Sequence, residues 1–303
     1  LIAMQSLVLC ADDFGLSPAI DAGILSLVDA GRLTATSVMV AGPAAAADAT
    51  ALVARRDRAA VGLHLTFTDL APLGSVGGAG PDDLFAAGRP PALGRLIVAA
   101  LAGRLDRAGV AAEIGRQIAR FEALFGAPPD FVDGHQHVHV LPGIRGALFD
   151  AFDDGRLDRR RTWLRSPVPP ATAWVRRGWP ASKAAIVALL ATGFAAAARS
   201  HGIVTNTGFL GYTAFRADGS VGDVLGVQWP LVGGRTLAMC HPAATAPGAT
   251  SGATAGGPEA EAFADPIAGA RRDEYAYFAS DRFAADLAAA GVVLERPRWT
   301  EAG

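Results

Sequence analysis

At 303 residues the chain is longer than most single domains, but α/β barrels commonly run to about 250 residues as one unit, so one large core is the simplest organisation. A formal net charge of −2 supplies no field to draw DNA, RNA or an anionic membrane, which excludes those partners as the basis of function. The only two cysteines, Cys10 and Cys240, each sit inside an apolar run, which argues against a disulfide framework and fits a reducing, cytoplasmic setting.

The first ten residues carry no basic leader and no small-residue cleavage pattern, so they read as a first strand rather than a signal peptide. Leu7 to Ala11 is that strand, stopping at Asp12-Asp13-Phe14-Gly15. Ser17-Pro18 then offers a cap followed by proline at the first helical position, and Ala19 to Ala30 is helical with Gly31 as its stop. A βα rhythm continues with a strand over Thr36 to Ala41, a helix over Ala44 to Arg56 and a strand over Val61 to Leu65 that carries His64 at its end. Thr68 to Pro91 is rich in Gly and Pro and reads as a long loop shaping a pocket. Ala111 to Phe125 is an amphipathic helix with Ile114, Ile118, Phe121, Leu124 and Phe125 on one face.

The strand Phe131 to Asp133 runs into Gly134-His135-Gln136-His137-Val138-His139, and a helix follows from Pro142 to Phe152. Trp163 to Arg165 is strand-like, Lys183 to His201 helical, and Gly202 to Thr205 a strand ending at Asn206. The apolar window Ala184 to Ala198 falls short of the ~20 residues that span a bilayer, so a packing helix and no membrane span are expected. Leu237 to Cys240 is a late strand stopping at His241-Pro242. Residues 243–258 lack apolar periodicity and read as a mobile loop. Helical patterning returns from Ile267 to Ala290, and Val292 to Glu295 is placed to close the sheet. With no internal repeat or linker, the parts form one α/β domain, a (β/α) barrel or a distorted version of it.

Reactive groups in parallel α/β proteins sit where strands end, and here three strand ends carry the makings of one metal site. A carboxylate and two imidazoles can hold a divalent cation while leaving positions open for water and substrate. Asp13, His64 and His135 are the candidate ligands, although spacing alone does not select His135 over His137. Period-two spacing would turn His135, His137 and His139 the same way in an extended chain, so only one is a ligand, and Asp133 is available to orient an imidazole. Asp12, set on the opposite side of the strand pleat from Asp13, is the candidate general base, and His241 the candidate general acid. Taken alone, the Asp pair could cap the next helix, and a lone histidine is more often a pocket residue. The set is far more specific than any member.

These segments resemble one family, the YdjC-like carbohydrate deacetylases, which include chitooligosaccharide deacetylases and hopanoid-biosynthesis-associated deacetylases. The matching stretches are Ala11 to Ser17, Gly62-Leu63-His64-Leu65, Asp133 to His139 and Met239-Cys240-His241-Pro242. Weaker matches are Leu164 to Pro167, the Lys183 helix, Thr205-Asn206 and Asp265-Pro266-Ile267. The resemblance implies a distorted TIM-like barrel in which Asp13, His64 and His135 bind one divalent ion (Zn or Mg, with Mn, Co or Ni as alternatives) and Asp12 acts as base, with His241 in the same pocket. The chain departs from the family where Ala243-Ala244-Thr245 follows His-Pro in place of the usual Gly, which bears on the substrate rather than on the metal centre.

The expected reaction is hydrolysis of the acetamide of an N-acetylated mono- or oligosaccharide or glycolipid, with Asp12 taking a proton from metal-activated water and His241 protonating the amine. Arg165 is expected to bond Asp12 or the substrate, or to serve as a structural ion-pair partner. Trp163, Trp174, Trp179, Phe209, Tyr212 and Trp229 are candidates for stacking a sugar ring, most of them better read as packing. A phosphoesterase using the same ligands ranks second because no Lys/Arg cluster or Gly-rich phosphate loop lies near the motifs. A non-catalytic sugar-binding protein ranks third. Ala- and Gly-rich helix faces would let two copies pack as a homodimer.

Overall fold

The computed structural model describes residues 4–74, 76, 84–85, 89–176, 180–244 and 265–300. Strand β1 (Gln5–Phe14) lies in the middle of a curled parallel sheet and is buried from Leu7 onward. On one side follow β2 (Ala35–Val38), β3 (Ala60–Leu65), β4 (Phe131–Gly134) and β5 (Trp163–Leu164); on the other follow β7 (Thr236–Cys240) and then β6 (Gly208–Leu210). Helices cover the sheet, so the strands are buried on both faces and read as short apolar runs.

The sheet is a half-barrel rather than a complete one. Val292 to Glu295 does not close it: β8 (Val292–Leu294) pairs with Gln5, Ser6 and Leu7 at the start of β1. The two ends approach each other at a single bridge between Leu164 and Thr205. There Asn206 replaces a backbone ladder with its side chain, accepting from Ser166 N at 2.7 Å and donating to Ser166 O and Gly208 O. The strand expected at Gly202 to Thr205 therefore supplies only that bridge, and the paired strand β6 comes three residues later.

Capping explains most helix boundaries. Helix α1 (Pro18–Asp29) starts where the Ser17 hydroxyl accepts from Ile20 N and Pro18 occupies the first turn. After α2 (Ala45–Val53), a helix α3 (Leu93–Leu101) fills a stretch for which the sequence pattern suggested no element. Helix α4 (Arg107–Phe125) starts four residues before the expected Ala111 because Asp106 accepts from Ala108 N, and it stops at Gly126 with φ 66°. Next come α5 (Ile144–Asp153) and a pair, α6 (Ala181–Leu190) and α7 (Phe194–Ser200), where one helix was expected. Ser182–Ser200 has the length and hydropathy to cross a bilayer, but a turn ending at Gly193, φ 76°, breaks it, and Val187, Ala191, Phe194 and Ala198 pack into the core. After α8 (Val221–Gly226), the expected Ile267 to Ala290 helix is also split. Ser280, in extended conformation, ends α9 (Ala268–Ala279) and caps α10 (Asp281–Ala289) by accepting from Phe283 N.

Helix α4 also fixes the start of the long loop after β3. Gln117 accepts from Thr66 N and donates to Thr66 O, while buried Glu113 accepts from Leu73 N and Gly74 N. Of the loop expected at 243–258, all but Ala243 and Ala244 lies outside the described residues.

Candidate active site

Both carboxylates at the end of β1 reach the same mouth of the sheet because the strand abandons its alternation. The pairing of β1 with β2 slips between Ala11 and Phe14, and Asp13 adopts φ 71°. This corrects the expectation of Asp12 and Asp13 on opposite sides of the pleat. A left-handed non-glycine residue costs about 1–3 kcal/mol and persists where its surroundings over-determine it. Asp13 Oδ1 faces His135 Nδ1 at 3.0 Å and His64 Nε2 at 3.3 Å, and its Oδ2 accepts from Arg271 Nη2 at 2.6 Å. Burial alone would raise the Asp13 carboxyl; Arg271 and His135 outweigh it and hold it well below the usual carboxylate range.

His64 is held on both sides. Its Nδ1 lies 2.6 Å from Asp133 Oδ1, on the residue directly opposite it in the β3/β4 register, and 3.0 Å from Ser37 Oγ. Asp133 thus orients His64 on the neighbouring strand rather than a histidine of its own segment. With Nδ1 donating to Asp133, Nε2 presents a lone pair to Asp13, and two acceptors at 3.3 Å require a cation between them, either a proton or a metal ion. Although burial pulls the imidazole down, Asp133, Asp13 and Asp12 push His64 up to about 10. Donor atoms of Asp13, His64 and His135 lie within 4.8 Å of one another, and a carboxylate with two imidazoles is a donor set suited to a divalent ion with open positions. The residues fit the expected group. Asp69, at the start of the long loop, holds His135 Nε2 at 2.8 Å in the way outer carboxylates orient metal-bound imidazoles.

The three clustered histidines diverge. Residues His135–Val140 form a compact turn kinked at Gln136 and His137, which are left-handed at φ 52° and 61°, so the period-two argument for an extended chain fails. His135 joins the candidate ligands. His137 packs edge-on against Phe209 with ring centres 5.8 Å apart, and His139 lies with Nε2 2.8 Å from Arg165 O. Burial drives His137 well down and His139 to about 4, so both are neutral.

Asp12 is gripped by Arg165 through both oxygens, at 2.7 and 2.6 Å. Arg165 is fully buried and also faces Asp133 at 2.5 Å and Cys10 Sγ at 3.0 Å, so it positions carboxylates rather than meeting solvent. Despite burial, Arg165 lowers the Asp12 carboxyl strongly, and Asp12 stays ionised. Cys10 and Cys240 are buried, free thiols in adjacent strands.

His241 follows β7, the strand paired directly with β1, and its Nε2 lies 3.9 Å from Asp12 Oδ2. Glu274 accepts from the His241 backbone N–H at 2.5 Å, and Phe215 meets the His241 ring edge-on at 5.0 Å. Burial lowers His241 to about 3, and burial raises Glu274 to about 7. Lys183 Nζ lies 3.7 Å from the centre of the Phe215 ring. Arg271, Glu274 and Phe215 escape the motif reading. Arg271 and Glu274 are spaced i, i+3 on α9, which places them on one face, and that spacing is the signal that could have found them. Among the proposed stacking aromatics, Trp163, Phe209, Tyr212 and Trp229 are buried in the core, Trp174 is exposed, and Trp179 lies outside the described residues.

Fold and site together define a parallel α/β half-barrel with a carboxylate and two imidazoles gathered at the C-terminal ends of its strands. The chain belongs to the YdjC-like protein family, whose sequence model matches residues 6–289. A human carbohydrate deacetylase is 36% identical over 188 residues, covering 56% of this chain and 55% of its own. A chitooligosaccharide deacetylase of Serratia marcescens is 36% identical over 165 residues, covering 52% and 62%. The chain therefore matches little more than half the length of these relatives. A crystal structure from Enterococcus faecalis V583, provisionally described as a cellobiose-phosphate cleavage protein, superimposes with a TM-score of 0.64 over 97% of both chains at 19% identity, a likeness of fold.

Proposed function

We propose that this chain is a metal-dependent hydrolase that removes the acetyl group from an N-acetylated amino sugar, free, in an oligosaccharide or on a glycolipid. The observation that carries the proposal is the shared demand of His64 Nε2 and Asp13 Oδ1 for a cation, with Asp12 and His241 flanking the same spot. The names of the human and Serratia relatives support the substrate class.

Asp13, His64 and His135 would hold one divalent ion; two imidazoles and a carboxylate suit Zn, with Mg, Mn, Co or Ni as alternatives. When bound, such an ion polarises the acetamide carbonyl and lowers the pKa of water. Arg271 occupies Asp13 Oδ2, which leaves Oδ1 as the coordinating oxygen. Asp12, kept ionised and fixed by Arg165, accepts the proton of the attacking water. The facing His241 imidazole, 3.9 Å from Asp12, receives that proton and delivers it to the departing amine. Acetate and a free amino sugar result. Arg165 and Arg271 are both committed to carboxylates, which among the described residues leaves Lys183 as the one uncommitted cation beside His241, fewer basic groups than a phosphate clamp needs, and this disfavours the phosphoesterase reading.

The test is acetate release from a panel of N-acetylated sugars by protein reconstituted with each metal. Release that chelation abolishes and metal restores is expected. Hydrolysis of phosphoesters with no acetate from any sugar, or sugar binding without turnover, would overturn the proposal.

A further inference from the structure

Among the described residues, five non-glycine positions have left-handed backbone: Asp13, Asp69, Gln136, His137 and Phe215. The first four belong to the candidate ligands or to the segments that touch them. Stored strain of this kind gathers where geometry is functional, so the fifth calls for the same explanation.

Phe215 lies on the segment after β6, half-buried and edge-on to His241. Lys183 reaches from α6 to place its ammonium 3.7 Å from the centre of the ring. Lys183 is half-buried, and among the described residues no carboxylate pairs with it within 4.0 Å, although Glu274 acts on it from farther off. Its ammonium rests on the ring face, and burial, partly offset by the Glu274 carboxylate, lowers its pKa to about 8. Ammonium N–H groups beside a flat apolar ring, next to the imidazole assigned to the leaving amine, match the surface of a pyranose: a C–H face to stack and hydroxyls to accept.

We propose that Phe215 and Lys183 form the subsite that seats the sugar ring bearing the acetamide, Phe215 by stacking and Lys183 by holding the ring and donating to sugar hydroxyls. The inference rests on the deacetylase reading and assigns specificity to two residues outside the ligand and proton-transfer set.

The experiment measures KM and kcat separately for Phe215→Leu, Phe215→Tyr, Lys183→Met and Lys183→Arg on an N-acetylated disaccharide. Phe215→Leu and Lys183→Met are each expected to raise KM about tenfold, equivalent to about 1.4 kcal/mol, with kcat within about twofold. Phe215→Tyr keeps the ring and Lys183→Arg the charge, so both should stay near the parent KM. Should Phe215→Leu fail to fold, the Lys183 pair and Phe215→Tyr still decide the matter. Unchanged KM in Lys183→Met, or a kcat loss at constant KM, would overturn the subsite and leave a merely structural clamp on His241. If the parent chain releases no acetate, the deacetylase reading fails by itself. Calorimetric binding of the disaccharide to parent and variants then tests the subsite alone, and equal affinity would sink it.

Discussion

The two walls of the mouth are built on opposite principles. On the β1 to β4 side nearly every charge is matched: Asp12 to Arg165, Asp13 to Arg271 and two imidazoles, His64 to Asp133, His135 to Asp69. On the β6 to α9 side the Lys183 ammonium rests on a ring face instead of a carboxylate, and the neutral His241 ring lies 3.9 Å from Asp12, beyond hydrogen-bond reach. Dense pairing pre-organises a centre whose geometry must not move, whereas a cation with no close carboxylate is free to meet a ligand that brings its own acceptors. Under the proposed function, the first wall would carry the cation and proton chemistry and the second the recognition of the sugar.

Variants can break that division, and the largest effect belongs to the matched wall. Asp12→Asn should cut acetate release about 10²- to 10⁴-fold while metal content, measured by elemental analysis, stays at the parent level. Full retention of rate would remove Asp12 as the base. Asp133→Asn should weaken metal affinity about 10- to 100-fold by loosening His64, as competition with a chelator will show; unchanged affinity would mean that His64 is not a ligand. His241→Asn should lower kcat with metal content intact, and loss of metal instead would move His241 into the ligand set.

The smallest effect is one of stability, at the base of the same wall. Asp21 Oδ1 accepts from Gly15 N at 2.6 Å just beyond the strained Asp13, while its Oδ2 is buried without a hydrogen-bond partner. Burial raises this carboxyl to about 8, so the folded chain keeps a proton that the unfolded chain releases near its ordinary value of about 3.9. Asp21 therefore favours folding at pH below about 4, and that contribution is lost as pH climbs to about 8, with a slope of at most about 1.4 kcal/mol per pH unit. Asp21→Asn, which keeps the acceptor for Gly15, should flatten the fall in denaturation midpoint over this range. An unchanged slope would mean that Asp21 is charged in the folded chain.

Much of the matched wall was legible in the sequence because buried parallel strands read as uninterrupted apolar runs, and their ends announce themselves as Asp12-Asp13, His64 and His135. Of the unmatched wall only His241 was. Phe215 sits in a loop whose backbone conformation no local pattern reveals, and Arg271 and Glu274 look like surface residues of an ordinary helix until α9 packs against the mouth. The fates of His137 and His139 turned on two left-handed residues that kink the chain where an extended one would have kept the histidines in line. Helix breaks at Gly193 and Ser280 were readable as residue types but lost within longer apolar patterns.

Sequence alone determined the alternation of strand and helix, the burial of the strands and the identities of the groups at their ends, since these follow from local periodicity, caps and residue chemistry. Tertiary structure decided which carboxylate serves which imidazole, that the sheet stops at a half-barrel joined by Asn206, and that α9 lends Arg271 and Glu274 to the mouth. Those outcomes depend on strand register, a bulge and packing between segments 33 to 258 residues apart, and no local interaction encodes them.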